Sequence, residues 1–428
     1  MPPTWAVALR ETGLYMKYYD SLETRLPAER EAWLMDRLPR QIAHAKQHSP
    51  YFAGLFADID ATTIHSREAL ATLPVTRKSD LIELQKLLPP FGGLTATPLA
   101  GLSRVFASPG PIYDPEGRGQ DWWRFGRALF AAGFSAGDLV HNTFSYHFTP
   151  AGFMLEGAAH KLGCPVFPAG IGQTEMQVQT IADLKPAAYV GTPSFLRILI
   201  EKADELDIDI SSLKKAAVSG EALPGSLRKL LNERGIAVRE TYATADLGVI
   251  AYETPGEEGL VVEEEMLLEI VRPGTGIPVA EGEVGEVLVT SFNPDYPLIR
   301  FATGDLSAVL SGVSPCGRTN VRIKGWMGRA DQTTKVKGMF VHPSQIAGIL
   351  ARHTEIQRAR LVVDNATGQD RMTLHCEVAG SSDNPQGLAS DVVSLIREIT
   401  KLRGEVTFCA AGTLPNDGKV IEDIRKYE

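Results

Sequence analysis

The chain has 428 residues, 44% of them hydrophobic and 22% charged, the composition of an ordinary soluble globular protein. Forty-three basic against 52 acidic residues leave a net charge of −9, which argues against a general nucleic-acid binder, and no apolar run reaches the ~18 residues of a membrane span. Four scattered cysteines (Cys164, Cys316, Cys376 and Cys409) form no Cys-x-x-Cys pair, so neither a disulfide scaffold nor a local metal knuckle is indicated. The start, Met1-Pro2-Pro3-Thr4-Trp5, lacks the basic and apolar regions of a signal peptide, so a cytoplasmic location is expected.

Along the chain, Trp33, Leu34, Leu38, Ile42 and Ala45 lie near helical spacing and predict an amphipathic helix or helix pair over 24–49. From about residue 103 the pattern predicts strands alternating with helices. The strands fall at 105–107, 139–140, 166–167, 188–190, 216–218 and 238–240. The helices fall at 121–132, 154–162, 175–184, 193–206 and 225–234, with Gly133 and Gly163 as stop signals. Such alternation predicts a parallel α/β sheet. Beyond 255, short runs at 267–271, 285–290 and 297–301 between Gly, Pro, Asn and Asp turns predict antiparallel β structure. The tail predicts strand 334–341, helix 343–351, strands 358–364 and 371–378, helix 386–402 and strand 405–409. With a boundary near Asp331, the expected fold is α/β. A large domain, 1–331, holds the parallel sheet and an antiparallel portion, and a small mobile α+β domain spans 332–428. The tail carries 12 basic and 12 acidic residues, so the −9 lies wholly on 1–331.

In open α/β sheets, ligands sit at the carboxyl ends of strands. Three such ends open loops of small or hydroxylic residues: Gly191-Thr192-Pro193-Ser194, Ser219-Gly220-Glu221-Ala222, and Thr241-Tyr242-Ala243-Thr244-Ala245-Asp246. Each loop alone is explained by helix capping through Ser194, Ser219 or Thr244. Three on successive strands point to a site. Further on, Arg300-Phe301-Ala302-Thr303-Gly304-Asp305 places a carboxylate after a tight turn, suited to a ribose diol. Gly328-Arg329-Ala330-Asp331 sits at the boundary, and Leu414-Pro415-Asn416-Asp417-Gly418-Lys419 sets a lysine in a Gly-flanked loop.

Taken in order with Leu73-Pro74-Val75-Thr76-Arg77-Lys78-Ser79-Asp80-Leu81, Cys316-Gly317-Arg318-Thr319 and Val341-His342-Pro343-Ser344-Gln345-Ile346, these segments resemble the phenylacetate–CoA ligase family of adenylate-forming enzymes. The resemblance runs over nearly the whole chain. It implies that ATP activates a carboxylic acid as an acyl-adenylate, which coenzyme A then attacks. Tyr242 would lie against adenine, helped by Gly220, Glu221 and Ala222, with Thr241, Ala243 and Thr244 in the same loop. Asp305 would hold the ribose, supported by Arg329. Lys419 would be the adenylation lysine and Asp331 the hinge. Asp246 stands where the family has Glu, as a Mg²⁺ ligand one methylene shorter.

Two departures stand out. The phosphate loop, normally Ser/Thr/Gly-rich with a Lys, reads Ala107-Ser108-Pro109-Gly110-Pro111-Ile112-Tyr113-Asp114-Pro115. Its prolines lack N–H donors, and Asp114 is expected to repel phosphate, leaving Ser108, Gly110 and Tyr113 as contacts. Relatives with a structural zinc carry ligands where this chain has Thr254, Val261 and Ser314, with Cys316 alone retained, so no zinc is expected. The acyl pocket would be Phe144-Ser145-Tyr146-His147-Phe148-Thr149-Pro150-Ala151-Gly152, with Tyr146, His147, Phe148, Ala151 and Gly152 against an aryl acid. His147 either bonds the substrate or is packed structurally. The expected partners are a small-molecule aryl acid and coenzyme A or a carrier-protein thiol, with no nucleic acid and no membrane, and a homodimer stays open. The rival readings are an adenylating or adenylyl-transferring enzyme without CoA, and a non-catalytic ligand-binding relative.

Overall fold

The computed structural model describes residues 17–108, 111–256, 258–330, 334–337, 339–365, 370–378, 385–415 and 419–425. In chain order the strands are β1 (Thr76–Arg77), β2 (Arg104–Ser108), β3 (Ile112–Glu116), β4 (Val140–Asn142), β5 (Val166–Pro168), β6 (Ala188–Gly191), β7 (Lys215–Val218), β8 (Ala237–Thr244), β9 (Gly248–Glu253), β10 (Leu260–Val262), β11 (Met266–Val271), β12 (Gly285–Ser291), β13 (Phe301–Ser307), β14 (Val309–Leu310), β15 (Arg322–Ile323), β16 (Thr334–Val336), β17 (Met339–Val341), β18 (Ile356–Asp364), β19 (Arg371–Val378), β20 (Glu405–Ala410) and β21 (Ile421–Asp423). A nine-stranded sheet has the order β14-β15-β10-β9-β8-β7-β6-β4-β5, and a four-stranded sheet the order β1-β13-β12-β11. The chain divides into two compact units: Met1–Leu268 with Val289–Phe301 and Leu310–Gly325, and Glu269–Leu288 with Ala302–Val309 and Trp326–Glu428.

In the first unit, β5, β4, β6, β7 and β8 run parallel, as the alternation predicts. The helix Pro193–Glu205 shows why. Thr192 caps it by accepting from the Phe195 N–H, Pro193 fits its first turn, and Leu196, Leu199, Ile200 and Ala203 form one buried face. That face packs on Val178, Ile181, Tyr189, Ala216 and Val218. Each such leucine or isoleucine contributes about 1.5–3 kcal/mol by leaving water. The helix Pro27–His48 buries Leu34, Leu38, Ile42 and Ala45 against Phe52, Phe56, Leu267 and Ile299.

Several elements differ from expectation. The 104–108 strand is not part of the parallel sheet but pairs with β3 in a separate hairpin. The helix expected at 121–132 is only Gly126–Ala131, because Asp121 and Arg124 take positive φ of 53° and 65°. The 297–300 segment is irregular, and the strand begins at Phe301. Arg300 takes φ 44° and sends its buried guanidinium to the carbonyls of Ala71 and Leu73. The expected 334–341 strand is the β16–β17 hairpin.

In the second unit, the tail forms its own sheet in the order β20-β19-β18-β21, with the helices Pro343–Leu350 and Pro385–Thr400. Val336, Ile346, Leu361, Leu374, Val392, Ile396 and Ile421 share one core. Among the described residues, no helix is long and apolar enough to cross a membrane.

Candidate functional site

The three small-residue segments lie together at the carboxyl ends of the adjacent strands β6, β7 and β8. The Ser219 N–H donates to the Gly191 carbonyl, and the Ser219 hydroxyl donates to the Thr241 carbonyl at 2.8 Å. The Thr241 hydroxyl donates back to Val218 O. Glu221 accepts from the Ser194 N–H at 2.7 Å, so its carboxylate sits on the first turn of the Pro193–Glu205 helix, where the exposed helix N–H groups favour an anion. Gly220 takes φ +86°, a conformation open to glycine at little cost. Gly220, Glu221 and Ala222 are exposed, whereas Tyr242 is largely buried. Capping falls to Thr192 rather than Ser194, and Thr244 accepts from the Leu247 N–H.

One correction concerns the third loop. Tyr242, Ala243 and Thr244 are not in a loop but end β8, paired antiparallel with β9 through a bulge between Tyr242 and Ala243. The antiparallel partner supplies the hydrogen bonds that these small residues cannot earn from local propensity.

Asp246, just after β8, belongs to a buried polar cluster. Lys78 donates to Asp246 Oδ2 at 2.6 Å. The Asp246 side chain is fully enclosed, while that of Lys78 is 23% exposed. Asp114 is also enclosed, beside Asp246, Lys78 and Ser108, and burial first, then the Asp246 charge, holds its carboxyl well above the usual carboxylate range. The Tyr296 hydroxyl faces both acids, and burial pushes its ionisation up. Asp114 therefore points inward and does not meet a phosphate as expected. Ser108 is buried and donates to Ile112 O across the hairpin turn. In this arrangement a magnesium ion at Asp246 would share the carboxylate with Lys78. The carboxylate is shut from solvent, its Oδ2 is paired with the Lys78 ammonium, and its Oδ1 is buried without a hydrogen-bond partner. Among the described residues, no three acidic, histidine or cysteine side chains converge as metal ligands.

The acyl segment is held by Asn142, whose amide donates to the Tyr146 hydroxyl at 2.8 Å and to Gly152 O. Tyr146 in turn donates to Glu156, and its ring meets Phe153 edge-on at 5.1 Å. A Cβ on Gly152 would come within 2.7 Å of Ser145 O, so the turn requires glycine there. His147 is exposed rather than packed, and Ala151 is half-buried. Phe148 is 80% exposed at φ 60°, and its carbonyl accepts from the Ala107 N–H, tying this segment to β2.

In the second unit, Asp305 and Arg329 form an antiparallel bridge, and Asp305 Oδ1 accepts from both Arg329 and the Trp326 indole at 3.1 Å. Asp305 is thus a strand residue of β13, and the residues expected to turn just before it belong to the same strand. Trp326 was not singled out by the sequence. Its signal is an aromatic ring held between Gly325 and Gly328, both at positive φ.

The AMP-binding enzyme family model matches residues 123–293. The phenylacetate–coenzyme A ligase of Thermus thermophilus is 32% identical over 387 residues, 85% of each chain. That of Escherichia coli is 31% identical over 385 residues, 85% of this chain and 86% of the relative. The chain belongs to the phenylacetate–CoA ligase family. A solved open form of a 2-hydroxyisobutyryl-CoA ligase, in complex with 2-HIB-AMP and CoA, superposes with a TM-score of 0.71 at 24% identity, covering 97% of this chain and 93% of that one, so the fold is shared.

Lys419 of this family member is exposed and stands 3.8 Å from Glu422. It lines a cavity of about 1150 Å³ within the second unit, with Arg272, Glu281, Pro343 and Arg358. Asp331 lies outside the described residues. Cys316 Sγ is 3.1 Å from Ser314 Oγ and receives Arg318. Burial alone would raise this thiol, but hydrogen bonds from Ser314, Thr254 and Arg318 bring it down to about 7.

Proposed function

We propose that this chain activates an aryl carboxylic acid as its adenylate and hands the acyl group to coenzyme A. As a phenylacetate–CoA ligase family member it is an AMP-forming acid–CoA ligase, and the aryl substrate is the finer reading. The observation that carries the nucleotide assignment is the interlocked edge of β6, β7 and β8, where Ser219 and Glu221 tie the loops after β6 and β7 to the end of β8. Tyr242 would carry adenine, and Asp305, oriented by Trp326 and Arg329, would accept from the ribose hydroxyls. Lys419 would set its ammonium against the charge that grows between carboxylate and α-phosphate. The acid would lie along Tyr146 and Phe148, with the exposed His147 ring available to a substituent. Magnesium supplies charge neutralisation to ATP in enzymes of this kind, and Asp246 is not assigned to hold it.

The test is ATP–pyrophosphate exchange and AMP release over benzoic, anthranilic, hydroxybenzoic and phenylacetic acids, with and without CoA. The expected result is acid-dependent exchange without CoA, and AMP matched by thioester once CoA is added. Exchange with no thioester would assign a different acceptor, such as a carrier-protein thiol. Measurable acid binding with no exchange on any acid would reduce the chain to a ligand-binding relative.

A further inference from the structure

The first unit holds a cavity of about 260 Å³ beside the helix Ala151–Leu162, which leads out of the acyl segment. Trp122 and Phe153 give it apolar walls, and Arg104, Glu116 and Glu156 are among its polar residues. None of the residues assigned to the acid or the nucleotide lines it. Its volume lies just under the ~300–1,000 Å³ of pockets for drug-sized ligands, so it suits a smaller molecule. Gly157 keeps this space open. It stands inside the helix, where glycine is weaker than alanine, yet packing does not call for it: an added Cβ would meet only the Asp121 backbone nitrogen, at 3.9 Å. Trp122 is fixed from behind, its indole N–H donating to Asp295 at 2.8 Å.

The charges at this cavity do not balance. Arg104 pairs with Glu116 at 2.9 Å, and its guanidinium stands 4.2 Å from the centre of the Phe153 ring. A cation between a carboxylate and an aromatic face is therefore already the arrangement on one side. Glu156 repeats the carboxylate without the cation. Its Oε2 accepts from the Tyr146 hydroxyl at 2.8 Å, and among the described residues no basic side chain is paired with it. A phenol satisfies one oxygen but cancels no charge. We propose that this cavity is a binding site for a small organic ammonium with an apolar body. The ammonium pairs with Glu156 Oε1, and the body lies against Trp122 and Phe153 in the space left at Gly157. The site goes beyond the ligase reading and does not depend on it. It meets the acyl segment through one group, because Glu156 also holds Tyr146.

The experiment is titration calorimetry of the full chain with benzylamine, cyclohexylamine and the uncharged isostere benzyl alcohol, for wild type, Glu156→Gln, Gly157→Ala and Gly157→Leu, with melting temperatures measured alongside. Both amines should bind wild type at one site, and benzyl alcohol at least about 10-fold more weakly, as expected when a charge-assisted hydrogen bond is lost. Glu156→Gln keeps an acceptor for Tyr146 and removes the charge. It should weaken the amines about 10- to 100-fold and leave benzyl alcohol within about twofold. Gly157→Leu fills the space and should abolish binding of all three. Gly157→Ala should raise the melting temperature and weaken the amines less than Gly157→Leu does. No saturable binding of either amine to wild type would overturn the proposal, and so would amine affinities unchanged in Glu156→Gln or in a folded Gly157→Leu. Equal affinity for benzylamine and benzyl alcohol would overturn it as well, leaving an apolar recess with no preference for a cation. Should Gly157→Leu fail to fold, the comparison of wild type with Glu156→Gln decides alone.

Discussion

Lys419 and Asp121 illustrate two ways in which one side chain acts on the whole protein. Lys419 is exposed, in a loop that follows Leu414 and Pro415, and its assigned work is transition-state charge stabilisation. Lys419→Ala should lose about 10²–10³ in the adenylation half-reaction, the usual range for one such group, yet keep thioester formation from supplied acyl-adenylate. Equal loss in both halves, measured separately, would remove the assignment. Asp121 works through stability. Its carboxyl is enclosed although the residue as a whole is partly exposed. Burial pushes it up to about 7, against the opposing hydrogen bond from the Gly126 N–H. The folded value exceeds the ordinary 3.8, so the folded chain holds a proton that the unfolded chain releases. This contribution is fully present below 3.8, is lost as pH rises to about 7, and is constant above that. The span corresponds to at most about 4 kcal/mol. Asp121→Asn keeps an acceptor for Gly126 and removes the ionisation. Its melting temperature should vary less between pH 4 and 7 than that of wild type, and at pH 8 it should be the more stable protein. A wild-type-like pH profile in the variant would show that Asp121 stays ionised in the fold.

At the scale of elements, the close approach of strands sets the edge where the nucleotide is assigned. Gly191 ends β6 with a Cβ position only 2.0 Å from the Thr143 hydroxyl and 2.2 Å from that of Tyr189. Those two hydroxyls bond each other at 2.8 Å across β4 and β6. Gly191→Ala should break that pair, cost about 1–3 kcal/mol as an overpacked buried site, and reduce ATP affinity through the adjoining Ser219 loop. A thermal melt with ATP titration checks both, and unchanged stability would mean that the edge can relax. The loops after β6 and β7 were legible from sequence because apolar strands, small residues and capped helices recur there at regular spacing. What was not legible depended on distant partners. The end of β8 reads as a loop until β9 pairs with it. The chain at 121–125 has helical periodicity, yet Trp122 is drawn to Asp295 and Trp123 into the core, which breaks the helix before Gly126. The Lys78–Asp246 pair is invisible to any local pattern, and so is the inward turn of Asp114.

For the molecule as a whole, the separate −9 of residues 1–331 and the neutral tail find a structural counterpart in the cores. The tail's β18–β19 pair runs in register from Arg358 with Glu377 to Asp364 with Arg371, with a bulge before the Ile356–Val378 pair, flanked by parallel β20 and β21. Its core, from Val336 through Ile346, Leu361, Leu374, Val392 and Ile396 to Ile421, is drawn entirely from residues beyond the boundary expected at Asp331. We propose that this segment, which closes its own sheet and buries its own apolar face, folds as a domain by itself, although its compact unit also takes in 269–288 and 302–309. Expressed alone, residues 332–428 should therefore unfold in one cooperative transition with mixed helix and strand dichroism. Truncating its core by Ile396→Ala should cost about 2–5 kcal/mol and unfold the fragment without changing the core of residues 1–331. The paired measurement is a melt of the fragment beside a melt of 1–331. A fragment without a cooperative transition would mean that the tail owes its fold to the rest of the chain. In that case a hinge at Asp331, with rotation of a preformed unit carrying Lys419, would lose its mechanical basis.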